Sequence, residues 1–306
     1  MSILLRLGTR GSPLALAQAR QTQALLAGLL EIAPERIEIR VIKTSGDMIR
    51  DRPLSEVGGK GLFTKEIERA LEDGEVDVGV HSSKDMPTIL PDGLMLAGFL
   101  EREDVRDALI APGITSFAEL PQGAVVGTAA LRRQAQVKHL RPDLQTVLFR
   151  GNVETRLRKL AEGEADATLL AVAGLKRLGL IAHASAILSE EDFLPAVGQG
   201  AICLETRADD GDTIRHVAGI DHRDTHLAVK LERAFLTVLD GSCRTPIAGH
   251  AVVEGDAIRF RGLILKPDGS EVHEAQRSGR VADAEALGRS AGEELHALGG
   301  EGFFAG

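Results

Sequence analysis

A cysteine and an arginine lie among small residues in the segment Gly241-Ser242-Cys243-Arg244-Thr245-Pro246. Its glycine and proline are typical of a loop. A cation beside a thiol favours the thiolate, which is the nucleophilic form, so Cys243 could bond covalently to an electrophile. Taken alone, however, the segment favours the simpler interpretation of a half-buried structural thiol.

A carboxylic acid follows a short apolar run in the segment His81-Ser82-Ser83-Lys84-Asp85-Met86-Pro87. The preceding residues 76–80 predict a buried strand, and ligands of an open α/β sheet usually bind where such strands end. Asp85 beside Lys84 should stay ionised if both are near water. Asp85 could therefore act on a ligand, although the local sequence alone favours a turn or cap residue.

Several arginines stand near the ends of predicted helices and strands. Arg10 lies in a turn where Ser12 and Pro13 predict a helix start, and free N–H groups at such a start favour anions. A single arginine is more often a solvated surface residue. The repetition nevertheless favours a cleft that binds carboxylates or phosphates. The other members are Arg132, Arg133, Arg150, Arg156 and Arg177. We expect a strand to end at Phe149-Arg150, and we expect Gly174-Leu175-Lys176-Arg177 at the exit of a strand over residues 167–172.

Two further motifs are less specific. The glycine-rich segment 57–61, with Lys60, could cradle an anion or act as a lid, but it lacks the nucleotide-binding P-loop pattern. An ordinary mobile loop is an equal alternative. His222 and His226 have the spacing of a zinc motif without its glutamate, so we expect a role at a helix start and predict no metal site.

Composition narrows the function classes. The net charge of −9 and the absence of Trp and Tyr argue against nucleic-acid binding, whereas local basic residues in an acidic chain favour a small anionic ligand. Only two cysteines, Cys203 and Cys243, occur, and they form no CxxC pair, which fits a reducing compartment. Neither a secretion signal nor a membrane-spanning apolar run is visible. We therefore expect a cytoplasmic protein without a membrane partner.

The pattern of elements predicts two or three domains for 306 residues. The charge run 101–104 and the segment 194–200 are candidate crossings between domains, and 201–205 predicts a strand returning to the first domain. The sequences Gly74-Glu75-Val76-Asp77 and Gly163-Glu164-Ala165-Asp166 resemble each other. They suggest two similarly built α/β domains facing a cleft, or a coincidence between two helix-to-strand turns.

Together these segments resemble the porphobilinogen deaminase family, also called hydroxymethylbilane synthases, over nearly the whole chain. Several motifs in a fixed order are more specific than any one of them. The motifs are Thr9-Arg10-Gly11-Ser12-Pro13-Leu14-Ala15, Gly58-Gly59-Lys60-Gly61-Leu62-Phe63, the Asp85 segment, Leu131-Arg132-Arg133-Gln134, Arg150-Gly151-Asn152-Val153, Val197-Gly198-Gln199-Gly200 and the Cys243 loop.

The resemblance implies an α/β fold with two domains like the lobes of type II periplasmic binding proteins, arranged around a cleft, and a small C-terminal α+β domain. The implied boundaries are residues 1–100 with 200–218 for the first domain and 104–195 for the second. Residues 221–306 would form the third domain, which carries the cysteine.

The implied reaction joins four porphobilinogen molecules head to tail, releases ammonia and then hydrolyses off linear hydroxymethylbilane for porphyrin and haem biosynthesis. The implied primer is a dipyrromethane cofactor attached to Cys243 through a thioether. Asp85 would be the catalytic residue. No extended apolar patch is evident in the sequence, so we expect a monomer, and the partner that the resemblance implies is the small substrate porphobilinogen.

The resemblance also implies which residues bind the carboxylates of cofactor and substrate. They are Arg10, Ser12, Lys60, Ser82, Lys84, Thr128, Arg132, Arg133, Arg150, Arg156, Arg177, Gln199 and Gly200. One departure affects this set, because many relatives carry hydroxyl residues where Ala129 and Ala130 stand. Side-chain hydrogen bonds from these two positions are absent here, so Thr128, backbone N–H groups and the arginines must bind the carboxylates there.

Two other classes of function compete with this interpretation. A non-catalytic two-lobed protein that binds a small anion would explain the arginines and the internal similarity. It would not explain Asp85 together with Cys243, and a periplasmic form would need a secretion signal. A structural or nucleic-acid-associated protein is disfavoured by the acidic charge balance.

Overall fold

A computed structural model describes residues 2–48, 61–239, 245–300 and 302–304, with backbone alone at positions 47 and 48. Contacts divide the chain into two compact units. Unit 1 is Met1–Glu103 with Ala201–His226, and unit 2 is Asp104–Gly200 with Leu227–Gly306. The chain passes between units next to the two predicted crossings. The boundaries of three separate domains stay a prediction.

The described residues form strands and helices that alternate through most of the chain. The strands are β1 (Leu5–Thr9), β2 (Ile37–Val41), β3 (Val78–Ser82), β4 (Leu94–Phe99), β5 (Asp107–Ile110), β6 (Val125–Gly127), β7 (Gln145–Val147), β8 (Ala167–Ala171), β9 (Ala186–Ile187), β10 (Ile202–Arg207), β11 (Ile247–Glu254), β12 (Ala257–Leu265) and β13 (Val272–Arg280). The helices are α1 (Pro13–Leu29), α2 (Ser45–Met48), α3 (Lys65–Glu72), α4 (Leu131–Leu140), α5 (Val153–Ala161), α6 (Val172–Arg177), α7 (Gly211–Ala218), α8 (Arg223–Val238) and α9 (Ala284–Gly299).

The sheet of unit 1 has the strand order β2-β1-β3-β10-β4. Strand β1 pairs in parallel with β2 and β3, whereas β10 is antiparallel to both β3 and β4. Apolar side chains such as Leu7, Val78 and Leu204 are buried in its core, as expected for strands covered by helices. The predicted returning strand is β10, so that prediction is confirmed.

The first sheet of unit 2 repeats this plan with the order β7-β6-β8-β5-β9. Strand β6 pairs in parallel with β7 and β8, and β5 is antiparallel to β8 and β9. The equivalent order confirms two similarly built α/β parts. A third sheet, β11-β12-β13, is antiparallel and packs with α8 and α9 around Phe235 and Phe260. The predicted fold class, with a smaller C-terminal α+β part, is confirmed.

The internal sequence similarity marks a repeated turn. After α3 and after α5 the chain passes through a glycine with positive φ, Gly74 at +67° and Gly163 at +79°. At the second turn, Gly163 N–H donates to Leu160 O and Glu164 N–H donates to Lys159 O, the two bonds of a Schellman motif. The first turn has the same pair of bonds. The similarity is therefore structural rather than coincidental.

Each repeated turn ends in an aspartate that bonds to a neighbouring parallel strand, which is β1 in unit 1 and β6 in unit 2. Asp77 N–H donates to Arg6 O, and Arg6 N–H donates back to Asp77 Oδ2, both at 2.8 Å. Asp166 N–H donates to Val125 O at 2.9 Å, and Val125 N–H returns a 2.7 Å bond to Asp166 Oδ2. The same device thus sets the starts of β3 and β8.

Candidate active site

A cavity of about 50 Å³ lies in unit 1 where β1 and β3 end. This is the sheet edge at which the sequence predicts ligand binding. Four of the predicted site residues share the cavity: Arg10, Ser12, Ser82 and Asp85. The remaining lining comprises Leu14, Ala15, Gln18, Phe63, Thr64, Val80 and His81.

Asp85 reaches the cavity from a short turn. Strand β3 ends at Ser82, and Ser83–Asp85 forms one turn of 3₁₀-helix. Ser83 N–H donates to Ala201 O at 2.9 Å, and Met86 N–H closes the turn on Ser83 O at 3.2 Å. Asp85 is half-buried. It is thus both the turn residue that the local sequence favours and a carboxylic acid facing a cavity.

Arg10 and Ser12 lie in the turn between β1 and α1. The Arg10 guanidinium carbon is 4.1 Å from the centroid of the Phe63 ring, a cation–π distance. Ser12 caps α1 by accepting a 3.3 Å bond from Ala15 N–H, as predicted. Gln18 donates through Nε2 to Ser82 Oγ at 2.8 Å. Lys84 is half-buried and does not belong to the described lining of this cavity.

In unit 2, three predicted site residues converge on one carboxylate. Asp107 is fully buried at the start of β5. Its Oδ2 accepts from Arg132 Nη2 at 2.7 Å. Its Oδ1 accepts from Arg133 Nη2 at 2.7 Å and from Gln199 Nε2 at 2.9 Å. The cluster formed by Arg132, Arg133, Gln199 and Asp107 is called the Asp107 cluster below.

The Asp107 cluster carries more positive than negative charge. Two guanidinium groups, each on a residue only 5% exposed, face a single carboxylate. Burial lowers the pKa of Arg132 below its ordinary range, and the attraction of Asp107 opposes that shift. Arg133 Nε is buried and has no hydrogen-bond partner among the described residues. Within the described part of the chain, the excess positive charge of these residues and the unused Arg133 donor fit the binding of an anionic group, such as a carboxylate of the predicted cofactor.

The other predicted residues of unit 2 occupy separate local positions. Thr128 is buried, and its hydroxyl accepts a 3.2 Å bond from Ala130 N–H just before α4, so it supplies a hydroxyl contact beside the two alanines. Arg156 donates through Nε to Gly151 O at 3.0 Å. Arg150 is half-buried.

Two predicted positions in unit 2 differ from the structure. The sequence predicts a strand ending at Phe149-Arg150, but β7 ends at Val147. It also places Arg177 at a strand exit, whereas Arg177 ends helix α6, which follows β8 without a loop. Arg177 Nη2 donates to Gly200 O at 2.8 Å. Arg177 and the predicted residue Gly200 therefore meet.

Lys60 and Cys243 lie outside the described residues. The elements on either side of Cys243 are described, however. Helix α8 ends at Val238 and β11 begins at Ile247. The buried Glu232 of α8 accepts bonds from Ala251 N–H at 2.8 Å and Gly198 N–H at 2.7 Å. One carboxylate thus fixes the helix before Cys243 to the strand after it and to the segment before Gln199.

Sequence reasoning missed four polar residues that organise these places. Asp107 heads the apolar run Ala108–Ala111, and a charged residue opening a buried strand needs a partner. Gln18 is a buried amide on the apolar face of α1. His81 and Glu205 contact each other 124 residues apart, and no local pattern predicts that contact.

The predicted role of His222 at a helix start is confirmed, because its Nδ1 accepts from Thr225 N–H at 3.3 Å.

Across the described part of the chain, no helix is both long and apolar enough to span a membrane.

Comparison with known proteins shows which family has a similar sequence. A family model described as "Porphobilinogen deaminase, dipyromethane cofactor binding domain" matches residues 5–215, and "Porphobilinogen deaminase, C-terminal domain" matches residues 226–297. Curated proteins named porphobilinogen deaminase from Nitrobacter hamburgensis and Nitrobacter winogradskyi are each 60% identical over 302 residues. These alignments cover 99% of this chain and 96% of each relative.

Solved structures with a similar fold are far more distant in sequence. A putative methionine-binding lipoprotein from Bacillus subtilis is 14% identical, with a TM-score of 0.43 over 71% of this chain and 89% of that one. A periplasmic substrate-binding protein of an ABC transporter from Coxiella burnetii is 14% identical, with a TM-score of 0.44 over 71% and 92%.

Fold, site and family matches define a transferase with a domain that binds a dipyrromethane cofactor. The chain belongs to the porphobilinogen deaminase family. The predicted resemblance, the predicted function in tetrapyrrole biosynthesis, the dipyrromethane cofactor and the prediction of an enzyme are therefore confirmed. The alternative of a non-catalytic binding protein is wrong.

Proposed function

We propose that the chain condenses four porphobilinogen molecules onto a dipyrromethane primer held by Cys243, with Asp85 as the catalytic residue. The observation that carries this proposal is the shared cavity of Asp85 and Arg10 at the strand ends of unit 1, in a chain of this family. The product is linear hydroxymethylbilane, released by hydrolysis for tetrapyrrole synthesis.

Asp85 acts on the charge that develops in the reaction. Loss of ammonia from porphobilinogen leaves an electron-poor pyrrole, and a fixed carboxylate stabilises the developing positive charge. The same carboxylate accepts a pyrrole N–H bond and moves protons during ammonia loss and removal of the α-proton. The bound primer would supply the pyrrole carbon to which the first unit is joined, and each later unit would be joined to the terminal pyrrole of the growing chain.

The arginines bind carboxylates. Porphobilinogen carries one acetate and one propionate group, so every added pyrrole brings two negative charges. Arginine offers forked donors that match a carboxylate. The excess charge of the Asp107 cluster and the unused Arg133 Nε support this role for unit 2. The other cations proposed to bind carboxylates are Arg10, Lys60, Lys84, Arg150, Arg156 and Arg177. The uncharged groups proposed to bind them as well are those of Ser12, Ser82, Thr128, Gln199 and Gly200.

Cys243 serves as an anchor rather than as a nucleophile in each turnover. A thioether forms once, when the primer is assembled, and then persists. The Glu232 bonds to Gly198 and Ala251 support this role, since they fix the elements that flank Cys243. We also propose a cytoplasmic monomer that binds neither nucleic acid nor membrane. The net charge of −9 supports the absence of nucleic-acid binding.

Replacement of the catalytic carboxylate tests the proposal. Asp85→Asn keeps the size of the side chain but removes its charge, so we expect the fold and the covalent primer to persist while kcat falls at least about 100-fold. The exposed Asp92 of the same unit gives the matched control, Asp92→Asn, with turnover within about twofold of wild type. Wild-type turnover in Asp85→Asn would refute the assignment.

A further inference from the structure

A buried group of three ionisable side chains lies behind the cavity of unit 1. His81 is 5% exposed, Glu205 is 0% exposed and Glu68 is 7% exposed. His81 Nε2 and Glu205 Oε2 are 3.0 Å apart. The three residues come from β3, β10 and α3, and α3 packs on both of these strands. They are called the His81 cluster below.

Strand register places the histidine and the glutamate on one face of the sheet. His81 pairs with Cys203, and Glu205 pairs with Gly79. Residues two apart share a face, so His81 and Gly79 point the same way. A Cβ added at Gly79 would lie 2.7 Å from His81 Nε2 and 3.1 Å from Ile67 Cγ2 of α3. The missing side chain at Gly79 therefore makes room for the imidazole to reach Glu205.

Glu68 joins the cluster from the helix side. Burial raises the pKa of Glu68; the Thr64 hydroxyl opposes that shift, and the charge of Glu205 adds to it. Glu68 Oε1 and Glu205 Oε1 are buried without hydrogen-bond partners among the described residues. Buried carboxylate oxygens without partners cost free energy, and apolar side chains often replace buried ionic groups without loss of stability. Stability alone therefore does not account for this cluster.

The cluster connects two walls of the cavity. His81 lines the cavity and lies four residues before Asp85, and Thr64 lines it immediately before α3. Phe63, which carries the cation–π contact of Arg10, adjoins Thr64. Because α3 packs on β3 and β10, the side chains buried there link the turn of Asp85, which follows β3, to the Phe63–Thr64 wall, which precedes α3.

We infer that His81, Glu205 and Glu68 are positioning residues that hold the Asp85 turn in its catalytic place. The inference rests on the proposed function and deepens it. Displacement of a catalytic group by about 1 Å can reduce a rate about 100-fold. Loss of the cluster should therefore slow the chemical step, while the carboxylate-binding arginines of unit 2 still hold the substrate.

Two substitutions disturb the cluster in different ways. Glu205→Gln keeps the shape and removes the charge, and Gly79→Ala pushes a methyl group against the imidazole. We expect both proteins to carry the covalent primer by intact mass. We also expect kcat for porphobilinogen to fall about tenfold or more, with KM changed less than about threefold. Mass spectrometry at successive times after mixing with porphobilinogen should show that each pyrrole is added more slowly than in wild type, by the same factor as the fall in kcat.

Asp77→Asn is the matched control, because Asp77 lies immediately before the start of β3, away from Asp85, and forms an ion pair with Arg6. It should lower the melting temperature and leave kcat within about twofold. The inference is overturned if both cluster variants keep kcat within twofold, or if their loss is no larger than that of Asp77→Asn. Failure of both cluster variants to fold, while Asp77→Asn folds, also overturns it, because the cluster then serves stability. If wild type itself adds no pyrroles, the proposed function fails instead.

Discussion

At the scale of residues, buried charge distinguishes the two candidate binding regions. In unit 2, Asp107 neutralises one of two buried guanidinium groups. In unit 1, the cavity contains Arg10 against an aromatic ring and Asp85 in a turn. The first region suits negatively charged side groups, and the second suits a centre at which positive charge develops.

Asp107→Asn should be strongly destabilising. It would leave two buried guanidinium groups without their carboxylate, which typically costs about 3–5 kcal/mol. Urea unfolding would measure the loss. The exposed pair of Arg158 and Glu162 in the same unit gives the control Glu162→Gln, for which we expect less than about 0.5 kcal/mol. Equal losses in the two variants would show that the Asp107 cluster is not a stabilising network.

The raised pKa of Glu68 predicts a pH-dependent stability. The Glu68 carboxyl group therefore binds its proton more tightly in the folded protein than in the unfolded chain, where its pKa has the ordinary value of 4.5. The stabilising effect is therefore complete below about 4.5 and is lost as pH rises through the raised pKa. Since Glu68→Gln cannot ionise, the melting temperature of wild type minus that of the variant should fall as pH rises in this window. A constant or increasing difference would contradict this interpretation.

At this scale, sequence reasoning named residues of ordered motifs that share a cavity, but it missed the residues that contact them, and the roles of the named residues stay a prediction. Arg10, Ser12, Ser82 and Asp85 were predicted from strand ends and family motifs, and they share one cavity. The contact between His81 and Glu205 depends on strand register across 124 residues. Such a contact is decided by tertiary packing, so no local period or spacing could predict it.

At the scale of elements, the repeated helix-to-strand turn organises both α/β sheets. The glycine admits the left-handed backbone, and the Schellman bonds end the helix. The aspartate then bonds the start of the next strand to its parallel neighbour, β1 or β6. Sequence alone indicated the repetition but not its cause. It also missed the ends of β7 and β8, because capping and tertiary contacts set such boundaries.

Gly163→Ala tests the role of this turn. Because Gly163 has a φ of +79°, a side chain there is strained, and we expect a loss of about 1 kcal/mol in the free energy of unfolding. Gly28 lies inside helix α1 and has open space where an alanine methyl group would stand, so the control Gly28→Ala should gain up to about 1 kcal/mol. A Gly163→Ala protein as stable as wild type would contradict the Schellman interpretation.

At the scale of the whole molecule, the chain leaves unit 1 after Glu103 and returns at Ala201. Strand β10 then enters between β3 and β4, so the sheet beside Asp85 is completed only by residues more than a hundred positions later. The sequence predicted this return from the apolar run 201–205, and it suggested the two similar sheets while leaving a coincidence between two turns as the alternative. The three-domain boundaries stay a prediction, since one compact unit contains both the second α/β sheet and the C-terminal sheet.

The intact mass of the denatured protein tests the central claim most directly. We expect an excess equal to two linked pyrroles, located on the peptide that contains Cys243 and absent from Cys243→Ser. The buried thiol Cys203 provides the control Cys203→Ser, which should keep the excess. Brief exposure to porphobilinogen should add further pyrroles one at a time. An unmodified mass that porphobilinogen does not change, or a modification that persists in Cys243→Ser, would contradict the account.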